Sequence, residues 1–401
     1  MNSREVVIVS ACRTPIGKMS GQFKDISARD LAITAGSEAI KRAGVDPKII
    51  DEIIMGEVLA AMQGSLPAMQ VGHRLGFGPH ATGVTVNQNC ASSMRALEIA
   101  SDHIMLGKTD IALVVGVESM TNAPYLLAKA RNGYRMNDAK IFDSMTHDAL
   151  IDELTPGHMG ITAENVAEMY GITREECDEL AVMSHNRAIA AIDAGKFKEE
   201  IVPVVVKSKK GDVSIETDEH PIRNCTLETL AKMKPAFKDG GVVTAANASG
   251  VNDAASAVIV MSAEKAKELG IKPLAKVLHI CSAGVEPRIM GVGPAKAIPK
   301  ALKGAGIDFK DIEYWEINEA FAAQFLGAGR MLKEESGMEL DMNNVNRNGS
   351  GISLGHPIGC TGLRVVVSLL HEMKREGHKL GGASMCVGAG PAMAGIFSMD
   401  I

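Results

Sequence analysis

Two cysteines and one histidine stand in stretches whose neighbours leave room for a ligand. His356 lies in Asn348-Gly349-Ser350-Gly351-Ile352-Ser353-Leu354-Gly355-His356-Pro357-Ile358-Gly359-Cys360-Thr361-Gly362, and Cys386 opens Cys386-Val387-Gly388-Ala389-Gly390. Glycines at this density let a backbone approach a substrate and aim its N–H groups at it. Cys90 sits between Val86-Asn87-Gln88-Asn89 and Ala91-Ser92-Ser93, at an expected strand-to-helix junction. A thiolate is a strong nucleophile, a helix N-terminus favours the anion, and a histidine can take the proton. These groups together suit acyl transfer through a thioester. Taken singly, Cys90 and Cys386 have a plainer reading as buried, inert cysteines. His356 sits in Gly-His-Pro, an unusual setting for a core helix residue, and histidine titrates near neutrality. Asn318, in Asn318-Glu319-Ala320-Phe321, could orient a water or donate to an oxyanion. It could equally cap a helix.

The elements that must hold these residues read as a duplication. Ala39-Ile40-Lys41-Arg42-Ala43-Gly44-Val45-Asp46 resembles Ala301-Leu302-Lys303-Gly304-Ala305-Gly306-Ile307-Asp308. Ile54-Met55-Gly56-Glu57 then meets Glu316-Ile317-Asn318-Glu319, and Val86-Asn87-Gln88-Asn89 meets Val345-Asn346-Arg347-Asn348. Three matches in one order, about 260 residues apart, point to two copies of one fold. Each copy alternates short apolar runs with helical patterns, and its apolar strand ends in glycine: Ile111–Gly116 in one, Gly382–Gly388 in the other. That alternation is the mark of an α/β layer structure. Ligands in such sheets gather at the carboxyl ends of strands, where Cys386 is expected. Met94, Leu97 and Ile104 give helical spacing after Cys90. Residues 121–249 match neither copy. They hold a capping box, Thr173-Arg174-Glu175-Glu176, opening a helix to about Gly195. The expected division is 1–120 plus 250–272 as the N-terminal half, 121–249 as an inserted loop domain, and 273–401 as the C-terminal half.

Composition narrows the function classes. The 401 residues are 46% hydrophobic, enough for a full core, but only 3% aromatic, so aliphatic residues and 23 Met must build it. A net charge of −6 carries no nucleic-acid footprint. The basic run Lys207-Ser208-Lys209-Lys210 reads as a solvated turn ending at Gly211. Seven cysteines, none in C-x-x-C spacing, argue against zinc ribbons, redox dithiols and a disulfide framework. Met1-Asn2-Ser3-Arg4-Glu5 leads directly into Val6-Val7-Ile8-Val9, with no signal or transit pattern and no apolar run of spanning length. A cytoplasmic protein without membrane or nucleic-acid partners is expected. Gly349, Gly351 and Gly355 do not have dinucleotide-loop spacing.

Taken together these segments resemble the thiolase family, most closely its short-chain biosynthetic branch, the acetyl-CoA acetyltransferases. The resemblance spans the chain. It includes Arg13-Thr14-Pro15, the Cys90 segment, His158-Met159-Gly160, Lys234-Pro235-Ala236-Phe237 and Asn247-Ala248-Ser249-Gly250. Met290-Gly291-Val292-Gly293-Pro294, Asn318-Glu319-Ala320-Phe321, Gly355-His356-Pro357 and Cys386-Val387-Gly388 complete it. It implies a thiolase-like α/β fold, with two similar halves in five layers and an inserted loop domain. It implies reversible condensation of two acetyl-CoA to acetoacetyl-CoA and CoA, with CoA thioesters as substrates and neither cofactor nor metal. Cys90 is then the acylated nucleophile, His356 its base and Cys386 the second acid/base. Asn318 holds a water in one oxyanion hole, with His356 donating beside it; the backbone N–H groups of Cys90 and Gly388 form the other. His158, Met159, Arg223, Phe237, Ser249, Met290, Ala320 and Phe321 match the CoA and pantetheine path. A homotetramer, as a dimer of dimers, is implied, with Arg131–Met145 in the assembly contact.

Several positions depart from the family pattern: Ser93, Ser350, Ser353, Cys360, Ala389 and Ala254. They are expected to narrow the acyl pocket or change its polarity. A 3-ketoacyl-CoA thiolase for longer chains is the nearest rival, disfavoured by His158-Met159-Gly160. Cys386 argues against a decarboxylating condensing enzyme. Retention of all four catalytic types argues against a carrier that has lost its chemistry.

Overall fold

The computed structural model describes residues 4–155, 157–209 and 211–401. Met1, Asn2, Ser3 and Lys210, read above, lie outside the described residues. The N-terminal half has β1 (Val6–Arg13), α1 (Ala28–Ala43), β2 (Glu52–Gly56), β3 (Thr82–Val86), α2 (Ser92–Met105), β4 (Ile111–Ser119) and β5 (Asn252–Ser262). Between β4 and β5 run α3 (Met159–Tyr170) and α4 (Arg174–Asp193). Thr173 caps α4 with the expected reciprocal pair to Glu176. Lys207, Ser208 and Lys209 are exposed beyond the strand Val204–Val206. The C-terminal half has β6 (Ala275–Gly284), α5 (Pro294–Ala305), β7 (Tyr314–Ile317), α6 (Ala322–Ser336), α7 (Ile358–Glu376), β8 (Leu380–Cys386) and β9 (Pro391–Ser398).

The duplication is visible in the pairing. In the first half β2 runs parallel to both β3 and β4, while β5 is antiparallel to β4 and β1. In the second, β7 is parallel to β8, and β9 is antiparallel to β8 and β6. The place of β3 is taken by a parallel bridge between Trp315 and Val345, the residue matched to Val86 in the sequence. The halves join where β1 meets β6, through Val7–Lys276 and Ile8–Ala275.

Strands buried on both faces must be apolar throughout. Along β1, Val6 and Ile8 enter the central core, whereas Val7 and Val9 face the outer one. In β4, Ala112 and Val114 face inward and Leu113 and Val115 outward. The central core takes residues from both halves' strands and from α2 and α7, which fill the space between them. Helix α1 covers the outer face of one half, and α5 and α6 that of the other. The order is therefore helix, sheet, helix pair, sheet, helix: the five layers expected.

The central layer should be the most sensitive to lost volume. Leu97 on α2 is fully buried there. Leu97→Ala is expected to cost about 2–5 kcal/mol, read from the denaturant midpoint. A loss below about 1 kcal/mol would mean that this layer collapses around the cavity or is loosely packed.

Candidate active site

Helix α2 starts directly on the sheet. A Cβ at Gly56 or Gly116 would collide with Ser93, so both strands are glycine where the helix lands. Ser93 Oγ then donates to Cys360 O (3.1 Å) and accepts from Leu363 N (2.8 Å), tying the first turn of α2 to that of α7. The two helix N-termini, from different halves, are thereby held together. Cys90 precedes one and His356 the other, so the positive ends of both helix dipoles point towards the same place.

The loop before α2 is held by its own polar side chains. Asn87 Oδ1 accepts from Asn89 N (3.0 Å), and Ser92 Oγ accepts from Gln88 N (2.9 Å). Asn89 adopts φ 45°, a left-handed conformation that asparagine tolerates, and turns the chain sharply into Cys90. Its Nδ2 reaches Gly388 O of the other half at 3.5 Å. Gly388 allows this approach, since a Cβ there would press on Asn89 and Met159.

Cys90, His356 and Gly388 line one cavity of about 310 Å³. His158, Met159, Phe237, Ser249, Met290, Ala320 and Phe321 line it too. Phe237 stacks on His158 (centroids 4.6 Å) and meets Phe321 edge-on (6.1 Å). The Ser249 loop is held to the Asn318–Phe321 segment by Ser249 N to Ala320 O, 2.9 Å. Asn318 lies between β7 and α6 and does not cap the helix, whose N-cap is Phe321. Cys386 ends β8, as expected; it and Asn318 are fully buried and do not line the cavity. Arg223 stands apart from it, exposed and paired with Asp193 at 2.7 Å.

The protonation pattern follows from the hydrogen bonds. Thr361 Oγ1 donates to Pro357 O (2.9 Å) and lies 2.6 Å from His356 Nδ1. With its single proton on Pro357 O, the hydroxyl accepts from Nδ1–H. That leaves His356 Nε2 as the lone-pair nitrogen, and it is buried without a partner. Burial, then the charge of Arg364, lower the His356 pKa to about 3. Burial pushes Cys90 up to about 11, against the pull of the backbone N–H groups of Gly388 and Cys90 itself. Burial raises Cys386 further, with Cys90 as a second cause. The resting site thus holds a neutral thiol beside a neutral imidazole. A proton can leave sulfur for Nε2 as the sulfur attacks. Asn318 Nδ2 is likewise buried without a partner.

The departures from the family pattern do not act as expected: none of the six lines the cavity. Ser93 ties α2 to α7. Ser350 Oγ donates to Ile317 O (3.1 Å), and Ser353 Oγ lies 2.8 Å from Ser184 Oγ. Cys360 Sγ is 3.3 Å from Ser256 Oγ. Ala254 is buried in β5, and Ala389 holds a strained φ of 74° in the turn after Gly388. They are packing and hydrogen-bonding positions behind the site.

Three residues near the site were not singled out from sequence. Thr361 fixes the tautomer of His356; a hydroxyl five residues past a histidine was its only signal. Glu118, buried at the end of β4, accepts from Gly359 N (2.8 Å), Leu59 N (3.0 Å) and Val58 N (3.1 Å). A lone charge closing a wholly apolar strand was its signal. Arg364 is fully buried on α7, with no local signal beyond a charge in an apolar helix. Among the described residues no group of three or more His, Cys, Asp or Glu could hold a metal ion.

Comparison with known proteins gives a uniform result. The family model "Thiolase, N-terminal domain" matches residues 6–264, and "Thiolase, C-terminal domain" matches 271–399. An acetyl-CoA acetyltransferase from Syntrophomonas wolfei is 50% identical, covering 98% of each chain. One from Cupriavidus necator is 48% identical, covering 97% of this chain and 98% of its own. A solved structure of an acetyl-CoA acetyltransferase from Syntrophomonas wolfei superposes with TM-score 0.98 at 59% identity, over 99% of this chain and 100% of that one. Human mitochondrial 3-ketoacyl-CoA thiolase superposes at 0.95 with 39% identity over the whole of both chains.

The site's geometry makes two predictions. Thr361→Val removes the acceptor that fixes His356, and alkylation of Cys90 by a small electrophile should slow by roughly 10- to 100-fold. Thr361→Ser should restore most of the rate, and a valine variant as fast as wild type would refute the tautomer argument. In the wild-type protein the thiolate fraction rises about tenfold per pH unit below the thiol pKa. Because that pKa is raised to about 11, alkylation of Cys90 should keep climbing from pH 7 to 10. A plateau reached near pH 7 would show a thiolate already formed at rest.

Proposed function

The chain belongs to the thiolase family, and we propose that it joins two acetyl-CoA into acetoacetyl-CoA and CoA, reversibly, through an acetyl group on Cys90. The observation that carries this reading is the meeting, in one cavity, of the Cys90 thiol, the Gly388 N–H and the unpartnered Nε2 of His356. Claisen condensation needs an acceptor and a carbanion in one place. Storing the acceptor on sulfur divides the task into two easier steps.

In the first step Cys90 attacks the thioester carbonyl as its proton passes to His356 Nε2. The N–H groups of Cys90 and Gly388 stabilise the tetrahedral oxyanion. CoA leaves with a proton from Cys386. In the second step the Cys386 thiolate takes an α-proton from the incoming acetyl-CoA. A water held by Asn318, and the Nε2–H of His356, then face the enolate oxygen. The enolate carbon attacks the acetyl group on Cys90, and the released thiolate recovers its proton from His356. All protons are returned, and no cofactor is required.

The apolar wall of His158, Met159, Phe237, Met290 and Phe321 is assigned to the pantetheine arm, with Ser249 and Ala320 beside it. Arg223, exposed beyond the cavity, is kept for the nucleotide end of CoA. We propose a homotetramer, assembled as a dimer of dimers. Support comes from the hairpin Tyr125–Leu127 with Ile141–Asp143, which exposes Tyr125, Leu127 and Ile141 next to Met136. The cytoplasm is the proposed location, since all seven cysteines are free thiols, as a reducing compartment keeps them. No helix among the described residues is long and apolar enough to cross a membrane.

Incubation with labelled acetyl-CoA should place an acetyl group on Cys90, identified by peptide mass spectrometry. Cys386→Ser should still be acetylated there. It should lose roughly 10²- to 10⁴-fold in condensation and in exchange of acetyl-CoA α-protons with deuterated solvent. Label on another cysteine, or wild-type exchange without acetylation, would overturn the assignment.

A further inference from the structure

Arg364 is one of the largest fully buried side chains in the protein, set in the second turn of α7 beneath the site. A guanidinium removed from water needs a counter-charge and hydrogen-bond acceptors. The carboxylate within salt-bridge distance is Glu316, with Oε2 3.6 Å from Nη1. The other oxygen of Glu316 accepts from the Tyr314 hydroxyl. Arg364 Nη2 faces two oxygens, Asn318 Oδ1 and Ser350 Oγ, each at 3.5 Å. Arg364 Nε and Nη1 have no hydrogen-bond partner.

This arrangement gives the Asn318 amide a direction. Its oxygen faces a cation, and turning the amide over would set N–H against N–H. Its Nδ2 has no protein partner. The close fit depends on Gly351, where a Cβ would stand 2.6 Å from Asn318 Oδ1. We propose that Arg364 is a positioning residue for condensation, holding Asn318 Oδ1 so that Nδ2 is presented to the water that donates to the enolate oxygen, with Glu316 as its counter-ion. The inference rests on the reading of Asn318 as the residue that holds the water facing the enolate. The guanidinium does not touch substrate; it acts through the amide.

The test compares two half-reactions in the full-length enzyme. Arg364→Gln is made together with Glu316→Gln, so that no buried charge is left alone, and Arg364→Lys is the milder second variant. Exchange of acetyl-CoA α-protons in deuterated buffer should fall roughly 10²-fold in the double variant, the scale of one lost oxyanion donor. In Arg364→Lys it should fall about tenfold, because one ammonium cannot reproduce the planar fork. Acetylation of Cys90 uses the other oxyanion hole and should fall less than about tenfold in either variant, with KM for acetyl-CoA within about threefold. In an Asn318→Ala background the Arg364 changes should slow exchange little further. Equal losses in exchange and acetylation, or full additivity with Asn318→Ala, would reduce Arg364 to a structural role and overturn the proposal. Wild-type exchange in Asn318→Ala alone would overturn the reading of Asn318, and this inference with it.

Discussion

The hydroxyl of Ser93 carries the constraint on which the site depends. It binds a carbonyl and an N–H at the start of α7 while standing in the first turn of α2. Glycines at 56, 116 and 362 let these backbones come this close. Two helices from separate halves are then held by their N-termini inside the core. The proposed nucleophile, Cys90, and its proposed base, His356, are brought to one cavity without a direct bond between them. Their meeting is a consequence of helix packing, which is rigid because the central layer is fully buried.

Burial at this depth decides the state of the reacting groups. Charge is costly in such a place, so thiol and imidazole both rest neutral. In the proposed reaction fixed dipoles stand where charge develops: two backbone N–H groups beside Cys90, and the Nε2–H of a protonated His356 beside the water that the Asn318 amide holds. Among the buried polar atoms left unpaired in the resting protein are His356 Nε2 and Asn318 Nδ2, two atoms that the proposed reaction uses. Leaving buried polar groups unpaired costs stability. In the proposed reaction these two groups find partners during turnover.

Much of this was legible in the chain. Strand–helix alternation and three ordered internal matches announced two α/β halves, and the pairing pattern repeats as those matches require. Glycine-dense segments around His356 and Gly388, and the junction at Cys90, marked the place of approach. What could not be read were contacts between distant segments. Ser93 and Ser350 looked like changes to a pocket, because a sequence does not say that a hydroxyl points into the opposite helix. Arg364 was not singled out, since its partner Glu316 is remote in sequence. Arg223 matched a motif by position, but its partner Asp193 on α4 sets where it stands.

The duplication also explains why the two halves do different chemistry on one scaffold. The sequence match sets Gly56 opposite Asn318 and Ser92 opposite Gly351. In the first half the strand end is glycine and the helix start carries side chains, because Ser92 and Ser93 lie directly over Gly56. In the second half the bulk has changed sides: the strand end is Asn318, and Gly351 gives it space. Both solutions keep the same close approach of helix to sheet. Only the second leaves an amide at the carboxyl end of the strand, where a developing negative charge can use it. Divergence of the halves therefore needed no change of fold. Exchanging which partner of a tight contact is glycine leaves room for an amide at the strand end of the second half.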